Sequence, residues 1–423
     1  MKNIMTCMHI VLLSLSRRFV LMLEKINVRS YNGQRDKTGV EELEKRCQVG
    51  SEGKMCFFMD TLGDPICRIR NTPFHNMLVA EVDNEIVGII QGTIKLVTLC
   101  DCLATVGYVL GLRVVPLSRR GGIATTLVRH MEQWFTDNQV HYAYMATDKH
   151  NKPSLNLFID RLGYTIFKSP LILVQPVNPA APVASAGRRS GVEISMLKPE
   201  KAEFLYRKYM GTTDFFPHDI DRVLNHKLSL GTWVSYRRRR GHVPFSGEFR
   251  DESDMPESWA MLSVWNGGDV YKLRAEGVTF PCFVYSRSSR LMNWAFPCLN
   301  VQEMPDFSDN FGFYFVYGLY VRGRGSGKLV RALFRFVSNV AREKGDCKAI
   351  VTEVERMEGF RFHVPHWKLL SGSEDLWCIK SLKMAGEDED DDEEEEGTRI
   401  RSLQQLTTSV RSKRGLFVDP REV

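Results

Sequence analysis

The stretch Arg119-Arg120-Gly121-Gly122-Ile123-Ala124 stands between an apolar strand and the start of an amphipathic helix. The strand before it, residues 106–115, is almost entirely apolar, as expected of one buried on both faces. The helix after it spans residues 122–137, with Ile123, Leu127, Met131 and Trp134 at helical spacing. Two glycines and a small alanine let the backbone approach a ligand closely. The first helical N–H groups point outward, and the helix dipole adds about half a positive charge at that end. This geometry binds a pyrophosphate, to which Arg119 and Arg120 can add charge-assisted hydrogen bonds. The competing reading is a glycine turn that only closes a strand-helix joint.

Upstream, Thr38-Gly39-Val40-Glu41 has capping-box spacing, and Val40, Leu43 and Cys47 recur on one face of a short helix. Residues 77–82 and 85–94 flank the polar pair Asp83-Asn84, which predicts a β-hairpin. Downstream lie a strand at 141–147, a short helix at 153–162 that stops at Gly163, and a strand at 164–167. The order predicts a mixed α/β domain over residues 24–177. Residues 178–190, rich in Pro, Ala and Ser, read as a linker.

Beyond the linker the same order of elements returns over residues 191–383: helices at 200–209 and 219–227, strands at 231–236, 258–265 and 313–321, a helix at 328–343 and a strand at 348–354. Gly111-Leu112-Arg113-Val114 with Arg119, Gly122 and Ala124 is echoed by Gly318-Leu319-Tyr320-Val321 with Arg322, Gly325 and Gly327. The chain therefore reads as two copies of one α/β fold, each a mixed central sheet with flanking helices, the second interrupted by an insertion at 267–310. The glycine loop Arg322-Gly323-Arg324-Gly325-Ser326-Gly327-Lys328 is not a P-loop, because Arg322 stands where Gly is needed and Leu329 where Ser or Thr is needed. The second copy is expected to be degenerate, completing the fold and shaping the substrate side.

Length and composition agree: 423 residues suggest two to three domains at about 150 each. With 43% apolar and 26% charged residues, collagen-like, fully disordered and disulfide-scaffold classes are excluded. The net charge is +6, but residues 387–396 are ten consecutive acidic residues, and without them the remainder carries +16. That balance favours an acidic partner such as a phosphorylated cosubstrate, a nucleic acid or an acidic protein. The acidic segment, 384–412, reads as disordered and suited to tethering basic partners, and 413–423 as a C-terminal tail. The run Arg237-Arg238-Arg239-Arg240 reads either as a nuclear import or nucleic-acid patch or as a solvated hairpin loop. Ten cysteines form no CxxC pair, and His363 and His366 lack a third ligand, so no metal site is expected. Residues 1–23 contain an apolar run, 4–15, too short to span a bilayer; they read as an extension outside the fold rather than a secretory signal. No feature fixes an oligomeric state.

The strand, the glycine loop and the hairpin-first order together resemble the GNAT family of acetyl-coenzyme A dependent N-acetyltransferases, whose phosphate loop reads Arg/Gln-x-x-Gly-x-Gly/Ala. Asn151-x-x-Ser154-Leu155-x-Leu157-Phe158 with Leu162-Gly163-Tyr164 is similar to that family's Asn-x-x-Ala-x-x-x-Tyr…Gly-Phe segment. Over most of the chain the sequence resembles more closely the plant Hookless family of probable N-acetyltransferases. The resemblance rests on Asp64-Pro65-Ile66-Cys67-Arg68-Ile69-Arg70, Pro365-His366-Trp367-Lys368, Leu376-Trp377-Cys378-Ile379-Lys380 and Phe417-Val418-Asp419-Pro420-Arg421-Glu422, among other segments.

The resemblance implies a tandem GNAT-like acyl-CoA N-acyltransferase fold. It implies acetyl-CoA as cosubstrate, held by Leu112, Val114, Arg119, Arg120, Gly121, Gly122, Ile123, Ala124, Thr125 and Asn151, and a protein amine as acceptor. It also implies a nuclear place in hormone-linked differential growth, with the cytoplasm as the alternative. Two departures from the family pattern bear on catalysis. Phe158 occupies the position of the family's thiolate-protonating tyrosine, and the 106–115 strand carries no acidic residue to act as base. Asp148, His150 and Glu81 are the candidate bases, each with an ordinary structural reading beside it. The alternative function is a non-catalytic scaffold or transcriptional regulator that keeps the fold.

Overall fold

The structure, a computed structural model, describes residues 26–47, 56–177, 191–237, 247–249, 254–276, 305–345, 347–355, 358–368, 370–371, 374–382 and 415–423. The 178–190 linker, Arg238 to Arg240, the acidic run and all of the N-terminal extension (1–23) fall outside these residues, as does the middle of the 267–310 insertion.

The first half begins with β1 (Asn27–Ser30) and α1 (Gly33–Arg46), which Asn32 caps by accepting from the amides of Gln34 and Arg35. After β2 (Cys56–Asp60), the predicted hairpin is β3 (Phe74–Val82) and β4 (Glu85–Leu99). Asp83 and Asn84 turn it at φ of 50° and 66°, the left-handed pair that a two-residue hairpin turn needs. Next come β5 (Cys102–Val114), α2 (Ile123–Asp137) and β6 (Tyr142–Asp148). The helix expected at 153–162 is α-helical only as α3 (Lys152–Leu155) and continues as a π-helical turn over Asn156–Arg161. β7 (Thr165–Lys168) and β8 (Leu171–Pro176) close the half.

The second half runs β9 (Val192–Leu197), α4 (Pro199–Met210), β10 (Phe216–Pro217), α5 (Ile220–Leu224), β11 (Ser229–Arg237) and β12 (Trp259–Asn266). It continues with β13 (Lys272–Glu276), β14 (Gly312–Arg322), α6 (Ser326–Lys344), β15 (Cys347–Val354) and β16 (Asp375–Ser381). Residues 272–276, read as part of an interruption, instead pair with β2 of the first half.

The two halves exchange their last strands. The first sheet runs β1-β3-β4-β5-β6-β16-β7, and the second β8-β15-β14-β12-β11-β9. β16 therefore lies between β6 and β7, with Trp377 opposite Ala146 and Asp375 opposite Asp148, while β8 pairs with β15. Only Ser169 and Pro170 separate β7 from β8, and the residue before a proline is pushed toward extended backbone. The chain thus leaves the first sheet straight for the second, instead of folding back.

The repeat holds at the level of single residues. β5 is bulged against β4 at Gly111, φ 62°, and β14 against β12 at Gly318, φ 61°. α2 and α6 each cover the outer face of their own sheet. A Cβ at Gly107 would lie 2.7 Å from the Phe135 ring, which is how closely α2 approaches. The inner faces of both sheets pack on a shared apolar core that includes Tyr144, Phe215, Trp265, Phe315 and Trp377.

The C-terminal tail threads into that core. Phe417 is buried and lies edge-on to Tyr206, Phe216 and Tyr317. Behind it runs a buried chain of charges. Arg421 bridges Asp419 (2.7 Å) and Asp219 (2.7 Å), and Lys95 on β4 pairs with Asp419 (3.7 Å) and with Glu422, which also accepts from the Tyr144 hydroxyl. Among the described residues no helix is long and apolar enough to cross a membrane.

Candidate functional site

β5 and β6 are parallel neighbours only from Val106–Tyr142 to Val109–Met145. The bulge at Gly111 turns β5 away, so the two strands separate at their C-terminal ends into an open wedge. Leu110 to Val114 line one side, Ala146 to Asp148 the other. Leu112 and Val114 lie on the α2 side, packed with its core.

The glycine loop stands at the mouth of that wedge. A single turn, Pro116–Ser118, leads into Arg119 and Arg120, both exposed, and Arg120 holds φ at 65°. Arg119 Nε donates to the Val114 carbonyl (3.1 Å), which ties the loop to the strand end. Gly122 is the N-cap of α2 at φ 83°, with no side-chain cap, and the Thr126 amide donates back to its carbonyl (3.0 Å). Ile123, Ala124 and Thr125 therefore present the helix's N-terminal amides, which have no carbonyl of their own helix to pair with. A fixed array of donors at the positive end of a 15-residue helix, beside two exposed arginines, fits a pyrophosphate.

On the β6 side, Asn151 Oδ1 accepts from the Ser154 amide (3.3 Å) and its Nδ2 donates to Thr147 Oγ1 (3.1 Å). It caps α3 and pins it to the strand. Asp148 Oδ1 accepts from the His150 amide (2.7 Å), so this pair shapes the turn leaving β6 at the wedge's open end. Glu81 lies elsewhere, on β3, two strands from the wedge, and receives both Arg29 and Arg35. The Arg29 hydrogen bond, against the opposing effect of burial, holds its carboxyl below the usual range. That favours a structural carboxylate over a proton acceptor. Phe158 is buried in the π-helical turn, edge-on to Tyr164 at 5.1 Å, and brings no hydroxyl toward the wedge.

The second loop has the same backbone and a different environment. Gly325 caps α6 at φ 76°, but a Cβ on Gly327 would lie 2.6 Å from the His363 ring, and Arg237 lies against Gly325. His363 Nδ1 is 3.1 Å from Arg331 Nη1. Side chains of the protein thus occupy the space beside the second loop. At the second bulge Tyr206 fills the inner side, bonded to Ser263 (2.7 Å), which Thr232 also reaches (2.6 Å).

Sequence reasoning missed what the inner face contributes. Tyr108 and Tyr144 stack at the closed end of the wedge (4.8 Å), and Tyr144 stacks in turn on Trp377 (5.6 Å). Trp377 Nε1 donates to Glu353 on β15 (2.9 Å). Trp377 and Glu422 stood in segments already notable in the sequence, but nothing local placed them beside β6. Glu353 carried no signal at all.

Residues 40–164 match the acetyltransferase (GNAT) family. The probable N-acetyltransferase HLS1 of Arabidopsis thaliana is 41% identical over 421 residues, which cover 93% of this chain and 99% of that protein. The chain belongs to this Hookless family of probable N-acetyltransferases. A more distant relative is the acetyl transferase GW6a of Oryza sativa subsp. japonica, 31% identical over 95% of this chain and 98% of its own. Among solved structures, the GCN5-related glucosamine N-acetyltransferase region of a fungal multi-domain GH3 β-N-acetylglucosaminidase aligns with a TM-score of 0.50 and 13% identity, over 84% of this chain and 38% of that one. That likeness bears on the fold alone, which is the acyltransferase fold of the GNAT family with two copies in one chain.

Proposed function

We propose that the first repeat of this Hookless-family chain binds acetyl-CoA and transfers its acetyl group to a primary amine of a protein. The observation that carries the reading is the uncapped start of α2 behind Arg119 to Gly122, at the mouth of the β5–β6 wedge. The amides of Ile123, Ala124 and Thr125 hold the pyrophosphate, with Arg119 and Arg120 beside it. The wedge between Leu110 to Val114 and Ala146 to Asp148 takes the thioester arm, whose amide groups can pair with strand backbone there. The acceptor amine meets the thioester on the inner face, away from α2. A nuclear acceptor, within hormone-linked differential growth, is the finer reading that the Hookless resemblance supports.

Phe158 favours a second reading, a scaffold that keeps the cosubstrate site without turnover, since no phenol stands where the family places one. Titration calorimetry of the full chain with acetyl-CoA, followed by label transfer from radiolabelled acetyl-CoA to nuclear extract proteins, separates the two. Saturable binding with transfer above the uncatalysed rate is expected. Binding without transfer would make the chain a scaffold, and no binding would remove both readings.

A further inference from the structure

Resting on the acyl-transfer reading, we propose that Glu353, carried on β15 of the second repeat, is the group that takes the proton from the acceptor amine at the wedge of the first repeat. The exchanged strand β16 brings Glu353 to that site. Trp377 on β16 lies opposite Ala146, the first residue of β6 beyond its last pairing with β5, so its indole marks the point where the wedge opens. Trp377 and Tyr144 lie in the inner core, on the face turned away from α2. The indole N–H donates to Glu353 Oε1 at 2.9 Å, which fixes the carboxylate on the inner side of that opening. Glu353 is half-buried rather than fully enclosed.

The charges around it suit a cationic substrate. Asp375 on β16, Glu422 on the C-terminal segment, the Tyr108 phenol on β5 and one further cation, Arg68, which donates to the Glu422 carbonyl (3.2 Å), all lie within electrostatic reach of Glu353 or of one another. Lys95 is already paired with Glu422 and Asp419. Glu422 keeps one buried oxygen without a hydrogen-bond partner. An excess of carboxylate over cation on this face attracts an ammonium group and disfavours a second anion. Burial first, then the charge of Asp375, pushes Glu353 up to about 8, against the opposing effect of the Trp377 hydrogen bond. A base poised near the working pH takes a proton and returns it with little loss at either step.

The transfer then balances. Glu353 takes one proton from the ammonium, and the freed lone pair forms the C–N bond to the thioester carbonyl as the C–S bond breaks. The second nitrogen proton passes to the departing thiolate. Glu353 releases its own proton to solvent. The products are an N-acetyl amide, free CoA thiol and one proton.

The test compares wild type, Glu353→Gln and Glu353→Asp as full-length chains. Transfer from radiolabelled acetyl-CoA to nuclear extract proteins is measured from pH 6 to 9.5, with acetyl-CoA affinity by calorimetry and melting temperature recorded for each. The wild-type rate should rise with pH and level off near 8, because the base must be ionised. Glu353→Gln keeps an acceptor for the Trp377 N–H, so it should retain melting temperature and acetyl-CoA affinity. It should lose about 10²- to 10⁴-fold in rate, together with the acid limb. Glu353→Asp should keep the limb at reduced rate. A glutamine variant within threefold of wild type and with the same limb overturns the assignment and leaves acetyl transfer standing. A wild type that binds acetyl-CoA but transfers nothing overturns the function itself. If the glutamine variant does not fold, a wild-type rate independent of pH between 6 and 9 overturns the assignment alone.

Discussion

Gly122 sits at φ 83°, where a side chain costs conformational energy, and as the N-cap it stands next to the first amides of α2. Gly122→Val should weaken acetyl-CoA binding more than about a hundredfold. Two lost charge-assisted hydrogen bonds at about 1.5–3 kcal/mol each account for that. Calorimetry on the purified variant checks it, with circular dichroism to show the fold retained; unchanged affinity would remove the phosphate loop from the site. Lys95 tests the opposite kind of residue, a cation buried between Asp419 and Glu422. Arg421 and Lys95 together outweigh the burial that would raise the Asp419 carboxyl, and hold it below the usual range. Lys95→Met leaves the buried carboxylates short of a counter-charge, and breaking one side of such a network costs about 3–5 kcal/mol. Urea unfolding should show that loss, and a change under about 1 kcal/mol would mean the pairing contributes no more than a surface one. The loop glycine was legible because it belongs to a short contiguous motif between a strand and a helix. Lys95 was not, since its partners lie more than 300 positions away in the chain.

At the scale of elements, α2 and α6 were readable from period alone, because each buries one face against its own sheet and needs no knowledge of the other half. The short helix after β6 was harder. Its apolar spacing reads as one helix over 153–162, yet the backbone widens to a π turn over Asn156–Arg161, the segment that buries Phe158 against Tyr164. The C-terminal segment is the element whose importance local sequence least reveals, since Leu416 to Glu422 has no period and follows a long acidic stretch. Its burial comes from the aromatic slot between the sheets. Deleting residues 416–423 strips Leu416, Phe417 and Val418 from the core and leaves Lys95 and Asp219 without these partners. At about 1.5–3 kcal/mol for each large apolar side chain, the loss should be on the order of 5 kcal/mol or more. A differential scanning experiment reads it directly, and an unchanged melting temperature would show that the segment only rests on the fold.

Across the whole molecule, the exchange of β8 and β16 ties the two repeats together through shared sheets. A fragment of residues 26–177 keeps the glycine loop but has no β16 between β6 and β7, and carries β8 without its partner β15. Expressed alone it should aggregate or stay expanded on size-exclusion chromatography, and mixing with a 191–423 fragment should restore a compact species. A monomeric, sharply melting fragment would show that each repeat is self-sufficient. By itself the sequence determined the class of fold, the doubling of the chain and the glycine turn between β5 and α2, because periodicity, turn chemistry and a glycine motif act within about twenty neighbouring residues. Only the tertiary structure decided which strands share a sheet and which carboxylate reaches the wedge. Glu353, Trp377 and Tyr144 meet through strand pairing between distant segments, whose register is set by packing on a common core and leaves no mark on the local sequence.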